Sequence, residues 1–275
     1  MYKIITQVTS IFKSNDIITF DILLILMIKD FLACLGFFTI IPIPHKNFHI
    51  DSLSQILPWI SAVGLLIGIL LEFSHLIISY YFPPLLTAVC VLIIWVTISG
   101  GLHLDGLADC FDSFMCSASS EKRKQILKDP HLGTFGVLGV CITILFKFSL
   151  IYSQTSSEVV ISNTHGNCYI GLLLAPLIAR WSILWLIVFF PVGGDGLGQH
   201  FSKGLNLRSF SMASIIPLIL SGIFGIKAVI GLLLSIIIIW ILGKISMQKI
   251  GEIRGDVMGL GIEINEIINL FIYVF

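Results

Sequence analysis

Hydrophobic positions in this chain come in long unbroken blocks, with the polar residues gathered between them. A helix needs about 20 apolar residues to cross ~30 Å of hydrocarbon. Blocks of that kind cover 56–75, 85–102, 133–152 and 168–191, with a last one at 258–275. The block 212–242 is too long for one straight crossing. Ser221, Gly222, Gly225 and Lys227 interrupt its middle, so it reads as two helices joined by a tight turn. An earlier stretch, 17–43, is apolar but carries Lys29 and Asp30 and ends in Ile-Pro-Ile-Pro, where a helix cannot continue. It can span, lie in the interface or re-enter. The pattern predicts an all-α, polytopic integral membrane bundle of about six to seven transmembrane helices.

The loops between the blocks differ in charge. The loop 103–132 holds Lys122, Arg123, Lys124 and Lys128, the loop 193–211 holds Lys203 and Arg208, and 244–256 holds Lys244, Lys249 and Arg254. The alternate loops 74–84 and 153–167 contain no Lys or Arg, and the turn near Lys227 contains one. By the positive-inside rule the basic side is cytoplasmic. The same three basic loops carry most of the unusual polar residues, so a polar site would open to the cytoplasm of an inner-membrane protein.

Composition agrees with this reading. The chain has 275 residues, 56% hydrophobic and 12% charged, with a mean hydropathy of +1.01. A soluble domain is about 25% charged. Lys and Arg number 16 against 16 Asp and Glu, so no basic excess exists to attract a nucleic acid. The six cysteines show neither a CxxC pair nor zinc spacing and read as inert thiols. The N-terminus shows no removable signal-peptide pattern.

The most informative stretch is Gly100-Gly-Leu-His-Leu-Asp-Gly-Leu-Ala-Asp-Cys-Phe-Asp112. On a helix Asp105, Asp109 and Asp112 stand i, i+4 and i+3 and share one face. Three like charges on one face repel, and a cation between them removes the conflict. All-oxygen ligands suit Mg²⁺ or Mn²⁺, and Mg²⁺ held by a few carboxylates usually completes its shell with substrate phosphates. The plainer alternative is a solvated helix end. His103 serves as a general base or as a hydrogen-bonding group.

Other loops add candidates. Lys128-Asp129-Pro-His-Leu-Gly-Thr134-Phe-Gly136 precedes an apolar block. Thr134 there can cap a helix whose N-terminus favours an anion. Asp195-Gly-Leu-Gly-Gln-His200 is a glycine-rich connector or a substrate loop, and it is not a dinucleotide fingerprint. Asp256, after Arg254, can complete a metal site. Glu263 and Glu266 lie inside an apolar block, where acids face a cavity or a partner; Arg180 and Lys147 are the candidate partners. Arg180 either pairs structurally or binds a substrate phosphate.

GGLHLDGLADCFD, KDPHLGTFGVLG, APLIARW, DGLG and GDVMGLGIEINE, in this order, resemble the cobalamin synthase family, also called adenosylcobinamide-GDP ribazoletransferase. The likeness runs from about Phe31 to the end and includes FLACLGFFTIIPIP. It implies an Mg²⁺-dependent membrane enzyme that joins adenosylcobinamide-GDP to α-ribazole or its 5′-phosphate, giving adenosylcobalamin or its 5′-phosphate and GMP. In such a reaction the ribose 3′-hydroxyl attacks the cobinamide-side phosphorus. The resemblance implies catalytic roles for His103, Asp105, Asp109 and Asp112, with metal held by the three aspartates and Asp256. Substrate contacts fall to Lys128, Asp129, Thr134, Arg180, Asp195 and Arg254.

Residues 31–275 then form one membrane-embedded transferase domain, and 1–30 is an extension of unknown role. The expected partners are these small molecules and membrane lipid, without nucleic acid, and a homo-oligomer is compatible with the sequence. Two rivals remain. One is another Mg²⁺-dependent diphosphate transferase of the CDP-alcohol phosphotransferase or prenyltransferase type. The other is an ion-coupled transporter, although no internal repeat is visible.

Overall fold

The computed structural model describes residues 16–43, 55–156, 170–194 and 197–274. Among the described residues eleven α-helices follow one another: α1 Asp16–Phe38, α2 Ile60–Tyr81, α3 Pro84–Ser99, α4 Leu102–Met115, α5 Ser120–Ile126, α6 Thr134–Ser156, α7 Ile170–Phe189, α8 Leu197–Gly204, α9 Leu207–Phe224, α10 Ile226–Lys249 and α11 Gly255–Ile272. A short 3₁₀ turn, Leu57–Trp59, leads into α2. Among the described residues the only strand-like pairing is one parallel bridge, Val192 with Ile253.

Five helical stretches are long and apolar enough to cross a membrane, and α3 with α4 makes a sixth if that bent pair is one span. This agrees with the expected all-α polytopic bundle. Rows of exposed apolar side chains, such as Leu138, Ile142, Leu145 and Phe146 on α6, form a surface suited to lipid. The stretch 17–43 contains α1, which buries Cys34, Leu35 and Phe38 but is not among the crossing helices. The block 212–242 does break in two, at Gly225, whose φ of 81° lets it end α9 and start α10. The first of the pair starts earlier than the hydropathy suggests, at Leu207, where Asn206 and Ser209 form a reciprocal capping box.

Two helices organise the rest. α7 is buried except at its C-terminal turn and packs on α2, α10 and α11. Gly64 and Gly68 let α2 close on it, since a Cβ on Gly68 would lie 2.1 Å from the Leu173 carbonyl oxygen. α11 is the other hub and packs on α4, α6, α7 and α10.

Between these hubs lies a buried ionic cluster. Lys147 Nζ on α6 sits 2.7 Å from Glu263 and bonds to Glu266, both on α11. Arg180 on α7 donates to Glu266 at 2.9 Å and to the Pro176 carbonyl at 3.1 Å. Lys147 also lies over the Trp95 ring, 4.7 Å from its centroid. Two cations thus meet two carboxylates across three helices, which is the pairing that intramembrane charge demands. The cysteines described are all free, and Cys34 and Cys110 are buried while Cys141 is exposed.

Candidate functional site

The acidic segment follows α3 directly but does not continue its axis. Gly100 and Gly101 both adopt positive φ, 61° and 70°, and α4 leaves at 86° to α3. Glycine reaches this left-handed region without the Cβ penalty that other residues carry. The corner swings α4 across α11. Contact is close because Gly106 faces Asp256, where a Cβ would lie 3.0 Å from the Asp256 backbone, and Gly259 faces His103.

Crossing at glycines brings carboxylates from distant parts of the chain together. The Asp109 carboxylate lies within electrostatic reach of Asp105, Asp256 and Asp112. Asp105 and Asp256 share the mouth of a cavity of about 110 Å³, walled by Phe37 and Phe38 from α1 and Phe201 from α8. His103 also lines this cavity. It is 3% exposed, and neither ring nitrogen has a hydrogen-bond partner.

Asp112 is engaged differently. Its two carboxylate oxygens accept the backbone N–H groups of Gly133 and Gly136, at 2.7 and 2.9 Å. A carboxylate from α4 thereby caps α6, the role that the sequence offers to Thr134, and Thr134 itself is exposed. The cap works because Gly133 and Gly136 carry no side chain: a Cβ on either would come within 2.5 Å of the Asp112 carboxylate.

The basic loops converge on the same end. Gly193 donates its N–H to the Ile253 carbonyl, and Ile253 donates to Pro191, which ties the α7–α8 connection to the segment before α11. Arg254 is the N-cap residue of α11 and donates from Nε to Glu252 Oε1 at 2.7 Å. Lys124 reaches Glu252 at 3.7 Å. Glu252 therefore joins two basic loops, a tertiary role that its place in the sequence does not reveal. Arg123 is buried and donates to the Ser113, Phe114 and Ala118 carbonyls, closing the turn after α4. It satisfies helix-end carbonyls as a C-terminal cation does.

Other candidates lie apart from the acids. Lys128 and Asp129 are exposed in the loop before α6. The His131 ring and then its backbone N–H hold the Asp129 carboxylate below the usual carboxylate range. Arg180 sits in the ionic core, fully buried. Asp195 lies outside the described residues.

The sequence pattern of the family described as cobalamin-5-phosphate synthase matches residues 30–274. The chain belongs to this family. Among relatives in the cobalamin-5-phosphate synthase family, one from Brevibacillus brevis is 31% identical over 247 residues, covering 89% of this chain and 97% of its own length. One from Acinetobacter baumannii is 34% identical over 252 residues, covering 89% and 96%. One from Clostridioides difficile is 30% identical over 261 residues, covering 90% and 97%. Each of the three is named adenosylcobinamide-GDP ribazoletransferase. No solved structure matches this chain.

The acid cluster can be tested against a divalent cation by its donors. Asp105, Asp109 and Asp256 offer only carboxylate oxygens, the donor class of Mg²⁺ and Mn²⁺. Among the described residues no three His, Cys, Asp or Glu side chains stand arranged to hold a metal ion. An open set suits Mg²⁺, which is usually held by one or two carboxylates plus water and substrate phosphates. Asp112 keeps lone pairs free beyond the two N–H bonds it accepts.

Proposed function

We propose that this chain joins adenosylcobinamide-GDP to α-ribazole, or to its 5′-phosphate, and releases GMP. The observation that carries the reading is that Asp109 on α4 lies within electrostatic reach of Asp105 and, from α11, of Asp256, in a member of the cobalamin-5-phosphate synthase family. The names of its relatives support the substrates.

Mg²⁺, held by Asp105, Asp109 and Asp256 with Asp112 at the margin, would neutralise diphosphate charge and stabilise the leaving phosphate. The chain's own residues supply position and proton transfer. The ribose 3′-hydroxyl forms a new P–O bond at the cobinamide-side phosphorus. The anhydride P–O bond breaks, and its electron pair leaves with GMP. One of the two carboxylates that line the cavity, Asp105 or Asp256, takes the hydroxyl proton. Burial of His103 favours a hydrogen-bonding role for it over that of a base exchanging protons with water. Arg254 lies within electrostatic reach of Asp256 and suits the outer phosphate. Substrate contacts by Lys128, Asp129, Thr134 and Asp195 rest on the family resemblance alone. Loop charge supports an inner-membrane site open to the cytoplasm.

The test uses purified protein in nanodiscs with adenosylcobinamide-GDP, α-ribazole and Mg²⁺, following GMP and the corrinoid product by chromatography. Equimolar products, lost with EDTA and in Asp109→Asn, are expected. No product from folded protein with Mg²⁺ or Mn²⁺ and either acceptor would overturn the reading.

A further inference from the structure

The cavity beside the acids has features that the phosphotransfer chemistry alone does not require. Its wall is aromatic: Phe37 and Phe201 meet edge to face at 5.3 Å, and Phe38 and Phe201 lie nearly parallel at 6.3 Å. Its enclosed volume of about 110 Å³ is smaller than the ~150 Å³ that holds benzene, but the cavity is open at the exposed Leu102, Asp105 and Gly255, so a ring can enter from that side. Within it, His103 is buried with both ring nitrogens unpartnered, next to Phe38 at 6.0 Å. Burying a polar ring without a partner is costly, and the cost disappears when a ligand supplies one. Asp105 and Asp256 stand at the mouth of the same cavity.

From this geometry we infer that the cavity is the seat of the acceptor's heteroaromatic base, stacked among Phe37, Phe38 and Phe201, with His103 donating to its free ring nitrogen. The inference rests on the ribazole-transfer reading. Three heteroaromatic bases take part in that reaction: the base of α-ribazole, the guanine of the donor and the adenine of its adenosyl group, which lies across the corrin from the reacting phosphate. Distance along the substrates separates them. The acceptor base is one sugar away from the attacking hydroxyl, which must reach the carboxylates. Guanine is a sugar and a further phosphate away from the attacked phosphorus. A ring pocket that opens directly on Asp105 and Asp256 fits the nearer ring. A benzimidazole carrying its sugar on one nitrogen keeps an acceptor lone pair on the other, which the neutral imidazole N–H of His103 can meet.

The experiment varies each substrate separately, with the protein in nanodiscs. In Phe201→Ala the KM for α-ribazole should rise about tenfold, the scale of losing one base-stacking partner. The KM for adenosylcobinamide-GDP should stay within about twofold of wild type. Phe201→Leu keeps apolar volume but removes the ring face; it covers the case in which the alanine variant fails to fold, and it should show the same split. Equilibrium dialysis of α-ribazole and of GMP should show weakened binding of the first alone. Wild type should also prefer α-ribazole over the analogue whose free ring nitrogen is replaced by C–H, and His103→Phe should erase that preference. A KM rise for the GDP substrate, an equal rise for both, or unaltered KM values would overturn the inference while leaving cobalamin formation by the wild type intact. Absence of wild-type product would instead remove the reading beneath it.

Discussion

Asp112 accepts the backbone N–H of Gly133 at 2.7 Å across 21 residues of sequence, and this single contact locks the acidic helix to the start of α6. With the Gly136 N–H at 2.9 Å it fills the end of a helix that would otherwise bid for an anion. Asp112→Ala leaves both amides without the partner. The expected cost is about 1–2 kcal/mol of stability, the scale of a lost N-cap. Asp112→Asn keeps one acceptor oxygen and should lose less. Thermal unfolding in detergent checks the order; equal melting temperatures for all three proteins would contradict it.

Gly106→Ala should damage activity more than stability. The added methyl would meet the Asp256 backbone at 3.0 Å, so α4 and α11 must separate where their carboxylates meet. The neighbour must give by a few tenths of an ångström, a fraction of the ~1 Å misplacement that costs about 10²-fold in rate. A fall of kcat/KM by tenfold or more, with a nearly unchanged melting temperature, is expected. Unchanged kinetics would show that the spacing of Asp105 and Asp256 does not matter.

Lys147→Met tests the ionic core. The variant keeps the apolar stem and strands Glu263 and part of Glu266 without their cation. Breaking a buried pair from one side costs about 3–5 kcal/mol. Loss of folded protein in detergent is expected, with partial recovery when Glu263→Gln is added. A stable single variant would argue that water, not Lys147, satisfies these acids.

Removal of divalent metal should abolish GMP release without unfolding the bundle, because the ionic core needs no metal. Activity should return with Mg²⁺ or Mn²⁺ and not with K⁺ alone. Chelation that lowers the melting temperature as much as it lowers activity would assign the metal a structural role.

Features set by local pattern are legible in the sequence. The break at Gly225 shows as small and polar residues inside an overlong apolar block. The pairing of Arg180 and Lys147 with Glu266 follows from the rule that intramembrane charge needs a partner. Other features depend on contacts between distant segments. Gly100-Gly101 reads as part of a helix that runs straight on, since only backbone angles reveal an 86° corner. Asp112 lies on the same helical stripe as Asp109, and nothing local tells that its oxygens are taken by amides 21 and 24 residues away. Phe37, Phe38 and Phe201 look like ordinary membrane aromatics. Their placement around His103 comes from α1 and α8 meeting near α4. Adjacent phenylalanines before an Ile-Pro-Ile-Pro stop were the one available hint.

The central position of α11 bears on how the protein is made. Among the described residues ten helices leave the ribosome before it, yet α4, α6, α7 and α10 all pack on α11. Until it is made, Lys147 and Arg180 lack the carboxylates that pair them in the finished bundle. The helix that brings Glu263 and Glu266 also brings Asp256. Neutralising the core and completing the acid cluster are therefore one event in biosynthesis, and a nascent chain halted before α11 has neither a closed bundle nor a reactive mouth.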